Sequence, residues 1–224
     1  TPLAEPDHPP RSVLVTGGNR GIGRAIAEEL GKDHHILAGA SKDASDIVSA
    51  LPSADPFEVD LTDTAAIVEA ASTIEELDVL VLAAGVMDGG PLEEVGDDKW
   101  RHMMEVNLHA PVTLTRALLP ALRRSNGLII AINSGAGFNG YANNSAYCAS
   151  KFALRGFTES LAQEEAGKVR VTSLHPGRTD TDMLAGDDGR PKMDAVEVAK
   201  AARLAVDAGP DAVVEFLRVR PART

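Results

Sequence analysis

The sequence is short of four things, and each shortage removes a class of explanation. Cys148 is the only cysteine, so no intrachain disulfide can form, a zinc site built on cysteine thiolates is excluded, and no metal site is expected. A reducing cytoplasm is the setting this implies. Aromatic residues make up 4% of the chain, which leaves no stacking platform for a base or a steroid. Cations are in deficit, with 22 Lys+Arg against 33 Asp+Glu and a net charge of −11. That balance repels a polyanion and removes the footing for nucleic-acid binding, so any anion the protein holds must be captured by local groups. No apolar run approaches the roughly 20 residues of a membrane span; the best, Val79 to Met87, has the length of a buried strand.

What is present is the balance of an ordinary globular domain: 224 residues, 44% hydrophobic and 25% charged. Thr1 to Arg11, with four prolines, reads as a loose extended tail, and residues 12–224 as one domain. In that domain short apolar runs alternate with segments of helical period. Strands are expected at Ser12–Thr16, His35–Ala40, Phe57–Val59, Asp78–Ala83, Gly127–Ile132, Lys168–Leu174 and Ala212–Val219. Helices are expected at Gly21–Leu30, Ala44–Ala50, Thr64–Ser72, Lys99–Arg124, Ser145–Ala166 and Val196–Ala208. Strands apolar on both faces belong to a parallel sheet covered by helices on both sides. The expected fold is therefore a single doubly wound α/β domain of Rossmann type with seven parallel strands. Ligands in such a sheet bind beyond the carboxyl ends of the strands.

Directly after the first strand comes Thr16-Gly17-Gly18-Asn19-Arg20-Gly21-Ile22-Gly23, which runs into an alanine-rich helix. A strand, a tight glycine turn and a helix start place backbone N–H groups and the positive end of the helix dipole where a pyrophosphate can sit. The glycines follow T-G-x-x-x-G-x-G rather than G-x-G-x-x-G, and here the sequence resembles the short-chain dehydrogenase/reductase family over Ser12 to Val219. The resemblance implies a nicotinamide cofactor held by Gly17, Asn19, Arg20, Gly21, Ile22 and Gly23. NAD specificity in this fold rests on an acidic residue at the end of the second strand, which here reads Ala40-Ser41-Lys42 with no carboxylate before Asp43. Ser41, Lys42 and Arg20 suit a 2′-phosphate, which favours NADP(H); the competing reading has Asp43 reach the ribose. Asp60, followed by Leu61, matches the family position that contacts the adenine; the alternative is that Asp60 is an N-terminal helix cap, a role that suits Thr62 or Asp63 better. The fourth strand ends Leu82-Ala83-Ala84-Gly85 where the family usually has Asn-Asn-Ala-Gly, so asparagine contacts that steady the sheet there are missing, while small Ala83, Ala84 and Gly85 still let the backbone pass the adenosine side of the cofactor.

Tyr147 and Lys151 stand four apart at a helix start, so both project from one face. A phenol titrates near pH 10 and must become roughly a thousandfold more acidic, about 4 kcal/mol, to act as a base at neutral pH; a nearby ammonium supplies such a bias. The resemblance implies Tyr147 as general acid/base, Lys151 orienting the nicotinamide ribose and lowering the phenol, and Ser134, thirteen residues before Tyr147, polarising the substrate carbonyl. It gives Asn107 the anchor of a proton relay. Pro111 lacks an N–H, so the Asn107 carbonyl loses its helical partner and the helix is expected to bend there. His175-Pro176-Gly177-Arg178-Thr179-Asp180-Thr181 matches the family's turn under the nicotinamide, which implies contacts from Pro176, Gly177, Thr179 and Thr181, while the strand-end position of His175 suggests a structural role. Phe138, Tyr141, Met183 and Leu184 are the expected apolar wall for a small-molecule substrate in an open pocket with a short polar segment, residues 187–191, beside it. The leading reading is an NADP(H)-dependent carbonyl reductase or secondary-alcohol dehydrogenase, forming a dimer or tetramer. Alternatives are a 3-oxoacyl-carrier-protein reductase, with Arg123 and Arg124 against an acidic carrier, and a redox sensor that binds the dinucleotide without turnover.

Overall fold

The computed structural model describes residues 9–184, 189–209 and 211–222. Residues 1–8 of the expected tail and 187–188 of the polar segment lie outside them. Arg11, at the end of that tail, is half-buried, and its Nη1 donates to the Val206 carbonyl at 2.5 Å.

The apolar runs form β1 (Ser12–Val15), β2 (His35–Ala40), β3 (Ala54–Glu58), β4 (Val79–Leu82), β5 (Leu128–Ile132), β6 (Arg170–Pro176) and β7 (Phe216–Val219). They pair in one all-parallel sheet of order β3-β2-β1-β4-β5-β6-β7. Side chains alternate between two cores, as the pleat requires. Val13, Val15, Val79, Val81 and Ile130 turn to one layer with Ile26, Leu30, Val198 and Ala202. Leu14, Leu80, Leu82 and Ile129 turn to the other with Ile67, Leu114, Leu118 and Leu122. Burial on both faces is why these strands read as continuous apolar runs, and each fully buried Leu or Ile contributes about 1.5–3 kcal/mol. Asp78 pins the bottom of the sheet: its Oδ2 accepts from the Ser12 backbone N–H at 2.7 Å and the Ser12 hydroxyl at 2.9 Å.

The helices are α1 (Gly21–Leu30), α2 (Ser45–Ala50), α3 (Thr64–Ser72), α4 (Asp97–Met104), α5 (Ala110–Arg124), α6 (Ser145–Glu164) and α7 (Ala195–Asp207). Asp63 caps α3, accepting from the Ala65 and Ala66 amides. The expected single helix from Lys99 to Arg124 is two, joined by a π-helical turn at Glu105–His109 in which the Ala110 N–H reaches back to the Glu105 carbonyl. Pro111 has no N–H for the carbonyl four residues earlier, and widening the turn removes the clash of its ring with that carbonyl. At the sheet edges β3 begins earlier than expected, because an edge strand tolerates Pro56, and β7 begins later, pairing with β6 only from Ser173 onward. Among the described residues no helix is long and apolar enough to cross a membrane. The strand order reverses between β1 and β4, which opens a crevice above their carboxyl ends.

Candidate active site

Two cavities meet in that crevice. The first, of about 640 Å³, lies over the β1 turn. Gly17 leaves the strand at φ +63°, a conformation that favours glycine. A Cβ on Gly23 would stand 2.2 Å from the Gly17 carbonyl oxygen, so the first turn of α1 rests directly on the loop. Arg20 flanks α1 in extended conformation without a side-chain cap, and the first turn holds no acidic residue. Among the described residues no carboxylate is bonded to the opening amides and the positive helix end. Gly17, Asn19, Arg20, Gly21, Ile22 and Gly23 all line the cavity, as do Ala83, Ala84 and Gly85 from the end of β4. Thr16 ties the turn to the end of β4, its Oγ1 accepting from both the Ala83 and Ala84 amides at 3.0 Å.

Toward β2 and β3 the cavity is walled by Ser41, Asp60 and Leu61, with Arg20 beside them; Lys42 is exposed and does not line it. Asp43 is absent from the wall as well. Its Oδ1 accepts from the Ser45 amide at 2.8 Å at the start of α2, a bond that holds the carboxyl below its usual range. Asp60 Oδ1 is taken by the Thr62 amide and hydroxyl at 2.9 and 2.7 Å, and the helix cap belongs to Asp63.

The second cavity, of about 740 Å³, is lined by Ser134, Tyr141, Pro176, Gly177, Thr179, Met183 and Leu184 among others. Tyr147, Asn133 and Thr181 line both cavities. Tyr147 and Lys151 are one turn apart on α6. Burial raises the pKa of the Tyr147 phenol above the ordinary 10, and the nearby Ser134 hydroxyl pulls the other way. Lys151 is buried, and that burial lowers its pKa to about 8. Its Nζ donates to the Ile132 carbonyl at 3.1 Å and lies 5.8 Å from the Tyr147 ring centre. Ser134 is the group that pulls the phenol down here, while the Lys151 ammonium is turned to a main-chain oxygen.

Asn107 lines neither cavity. It is buried at the π-turn, where its Nδ2 donates to the Val86 carbonyl at 2.9 Å and to Ser150 Oγ at 3.1 Å, and its Oδ1 accepts from the Val86 amide at 2.8 Å. The side chain thereby ties the chain after β4 to the helix that carries Tyr147 and Lys151.

The chain belongs to the short-chain dehydrogenase family. The family's model, described as short chain dehydrogenase, matches residues 11–190. The chain is 34% identical over 221 residues to the 3-oxoacyl-[acyl-carrier-protein] reductase MabA of Mycobacterium bovis, across 96% of this chain and 87% of that one. It is 36% identical over 192 residues to the reductase FabG of Salmonella typhimurium, which carries the same activity name, across 80% and 78% of the two chains. Among solved structures, an alcohol dehydrogenase of the archaeon Thermococcus sibiricus complexed with 5-hydroxy-NADP superposes with a TM-score of 0.87 at 25% identity, covering 96% and 97%. A putative NAD(P)-dependent gluconate 5-dehydrogenase of Beutenbergia cavernae with bound NADP does so with 0.86 at 34%, covering 95% and 96%. This short-chain dehydrogenase is an NAD(P)-dependent oxidoreductase.

One expectation is corrected in this dehydrogenase. Phe138 is not part of the substrate wall: it packs on His175 at 4.5 Å and Phe216 at 5.4 Å, with the Arg155 guanidinium 4.0 Å from its ring centre. Arg123 and Arg124 sit at the end of α5, beside the amino ends of the strands and away from the crevice. Arg123 is held by Glu165 at 2.8 and 2.5 Å, and Arg124 Nε donates to the Glu75 carbonyl. The wall residues Asn133, His102, Val106, Arg218 and Arg220 were not anticipated; the position of Arg218 at the carboxyl end of a strand was the available signal for it.

His175 is structural. The fully buried ring bonds the Ser134 carbonyl at 3.1 Å through Nδ1 and the Ser173 hydroxyl at 2.8 Å through Nε2, and burial lowers its pKa from 6.5 to about 4. A histidine held neutral in the fold contributes stability that is full above pH 6.5 and is lost as the pH falls toward 4, because only the unfolded ring takes up the proton there. The urea-unfolding midpoint is expected to fall across that window; a constant midpoint would contradict the assignment.

Proposed function

We propose that this oxidoreductase interconverts a carbonyl compound and a secondary alcohol using NADP(H), with Tyr147 as the general acid/base. The observation that carries the reading is the place of Tyr147, on the wall between the two cavities, with Ser134 lining the second of them beside it. The first cavity suits the cofactor: its amides at α1 are uncapped, and the loop and helix meet so closely at Gly23 that no side chain intrudes. Gly17 to Gly23 would hold the pyrophosphate, Asp60 and Leu61 the adenosine, and Lys151 with Thr179, Thr181, Pro176 and Gly177 the nicotinamide end. The bound nicotinamide supplies the hydride. Ser134 holds the substrate oxygen in place beside Tyr147. A phenol raised by burial keeps its proton at neutral pH, which suits donation to a carbonyl oxygen and hence the reductive direction. Asn107 fixes α6 against the chain after β4 and so sets the position of Tyr147 and Lys151 together.

Arg20 and Ser41 on the wall, with Asp43 engaged at the start of α2, support NADP(H) over NAD(H). An Arg20→Ala, Ser41→Ala double variant is expected to weaken NADPH by about tenfold or more, the worth of one charge-assisted contact, with little change for NADH. Fluorescence titration of each nucleotide reads this. Equal losses for both would overturn the preference.

A second reading, reduction of a 3-oxoacyl thioester on a carrier protein, is supported by the names of the relatives in Mycobacterium bovis and Salmonella typhimurium. Arg123 and Arg124 are engaged within the chain by Glu165 and the Glu75 carbonyl, and a panel of ketones and oxoacyl thioesters separates the two readings.

A further inference from the structure

The whole chain has three acidic residues for every two basic ones, 33 against 22, yet the substrate cavity inverts that balance. Its described lining holds Arg178, Arg190, Arg218 and Arg220 and neither an Asp nor a Glu. Arg178 and Arg190 have polar partners of their own. Arg218 and Arg220 are exposed, and no carboxylate among the described residues pairs with either.

Both rise from the ordered backbone of the β6–β7 edge. Arg218 lies within β7, opposite His175 in the ladder, and its guanidinium stands 5.7 Å from the Phe138 ring centre. The chain at Arg220 crosses the Pro176-Gly177 turn so closely that a Cβ on Gly177 would lie 3.3 Å from Arg220 Cα, and the Gly177 amide donates to the Val219 carbonyl at 2.6 Å. The same β6–β7 edge that supports His175, and through it the Ser134 carbonyl, therefore carries the backbone of both arginines. Cations gathered on one wall repel one another and lose hydration as the wall becomes concave. An anion in the cavity offsets both costs, and a planar guanidinium suits a carboxylate or phosphate by paired hydrogen bonds.

We propose that the substrate carries an anionic group, a carboxylate or a phosphate, remote from its reacting carbonyl, and that Arg218 and Arg220 hold it while Ser134 and Tyr147 hold the carbonyl oxygen. This rests on the reading of Tyr147 and Ser134 given above.

Matched pairs test it. Acetoacetate is compared with methyl acetoacetate, and acetoacetyl-coenzyme A with the phosphate-free acetoacetyl-N-acetylcysteamine, in the wild type and in an Arg218→Gln, Arg220→Gln double variant. The wild type is expected to favour the charged member of one pair by about 10- to 100-fold in kcat/KM, mostly through KM, as for charge-assisted bonds. Added salt is expected to erode that preference. In the double variant the charged-to-neutral ratio falls to about one. The pair that responds identifies a carboxylate or a phosphate. A wild type that treats both members of each pair alike overturns the inference, as does a variant that keeps the preference. Reduction of neutral ketones that is lost in Tyr147→Phe would leave the reading of the site standing after such a failure. If no compound is turned over, acetoacetate and coenzyme A are titrated separately into the NADPH-loaded protein and followed by nicotinamide fluorescence. Binding of either anion that the double variant loses supports the anion site, and no binding, or binding that persists in the variant, overturns it.

Discussion

Replacing Tyr147 by Phe is expected to lower kcat by about 10²- to 10⁴-fold while NADPH binding is retained, the range spanned by loss of a positioned acid or base. The ring itself is a packing element at the start of α6, and Phe preserves it; only the hydroxyl that bridges toward Ser134 is removed. Ser134 cannot take over. Its Oγ already accepts from the Ala136 amide at 3.1 Å, and an aliphatic hydroxyl is far less acidic than a phenol. Lys151 cannot either, because its Nζ is turned to the Ile132 carbonyl. Stopped-flow measurement of NADPH oxidation with a small ketone gives the rate, and nucleotide fluorescence gives the binding. Unchanged turnover would remove Tyr147 from the mechanism. Tight NADPH binding by a wild type that turns over no ketone or thioester would instead point to the redox-sensor alternative.

The parts of this site that were legible in the sequence are those whose cause is local. The turn from Thr16 to Gly23 is fixed by neighbours a few residues apart, since Gly17 supplies a positive φ and Gly23 meets the Gly17 carbonyl. Tyr147 and Lys151 share a face because a helix repeats every 3.6 residues. The Asn107–Pro111 spacing announced a disturbance in its helix, and the disturbance is there, but its form is a π-turn, set by how α4 and α5 each pack. What Asn107 does with its side chain could not be read, because its partners Val86 and Ser150 lie 21 and 43 residues away. The same holds for Phe138, which turns from the cavity to His175 and Phe216, and for Arg123, whose charge is committed to Glu165. Local spacing says which residues are presented together; only the packed sheet decides which of them are already taken.

Gly23→Ala sets two local arguments against each other, and the sign of the result decides between them. Gly23 is a helical residue of α1, and by intrinsic propensity alone alanine there should stabilise the helix by about 0.8–1 kcal/mol. The geometry predicts the reverse. The new Cβ would fall 2.2 Å from the Gly17 oxygen, 2.7 Å from the Gly17 carbonyl carbon and 3.2 Å from the Thr16 oxygen, all backbone atoms with no flexible end to move aside. The loop cannot back away, because on its other side Gly17 packs against Ala84. The helix cannot either, because Ile26, Ala27 and Leu30 anchor it in the core. Overpacking of this kind costs about 1–3 kcal/mol, and any shift that relieves it displaces the amides offered to the dinucleotide. The variant is expected to melt a few degrees lower, at roughly 2–4 °C per kcal/mol for a chain of this size. Its Kd for NADPH is expected to rise by about 10- to 100-fold, on the scale of one or two lost charge-assisted contacts. Gly156→Ala in α6 is the matched control. That glycine is also helical but has nothing within 4 Å of its added Cβ, so propensity acts alone and a small gain in melting temperature is expected. If Gly23→Ala instead gained stability as Gly156→Ala does and bound NADPH as the wild type does, the contact between α1 and the turn would not be what shapes the cofactor cradle.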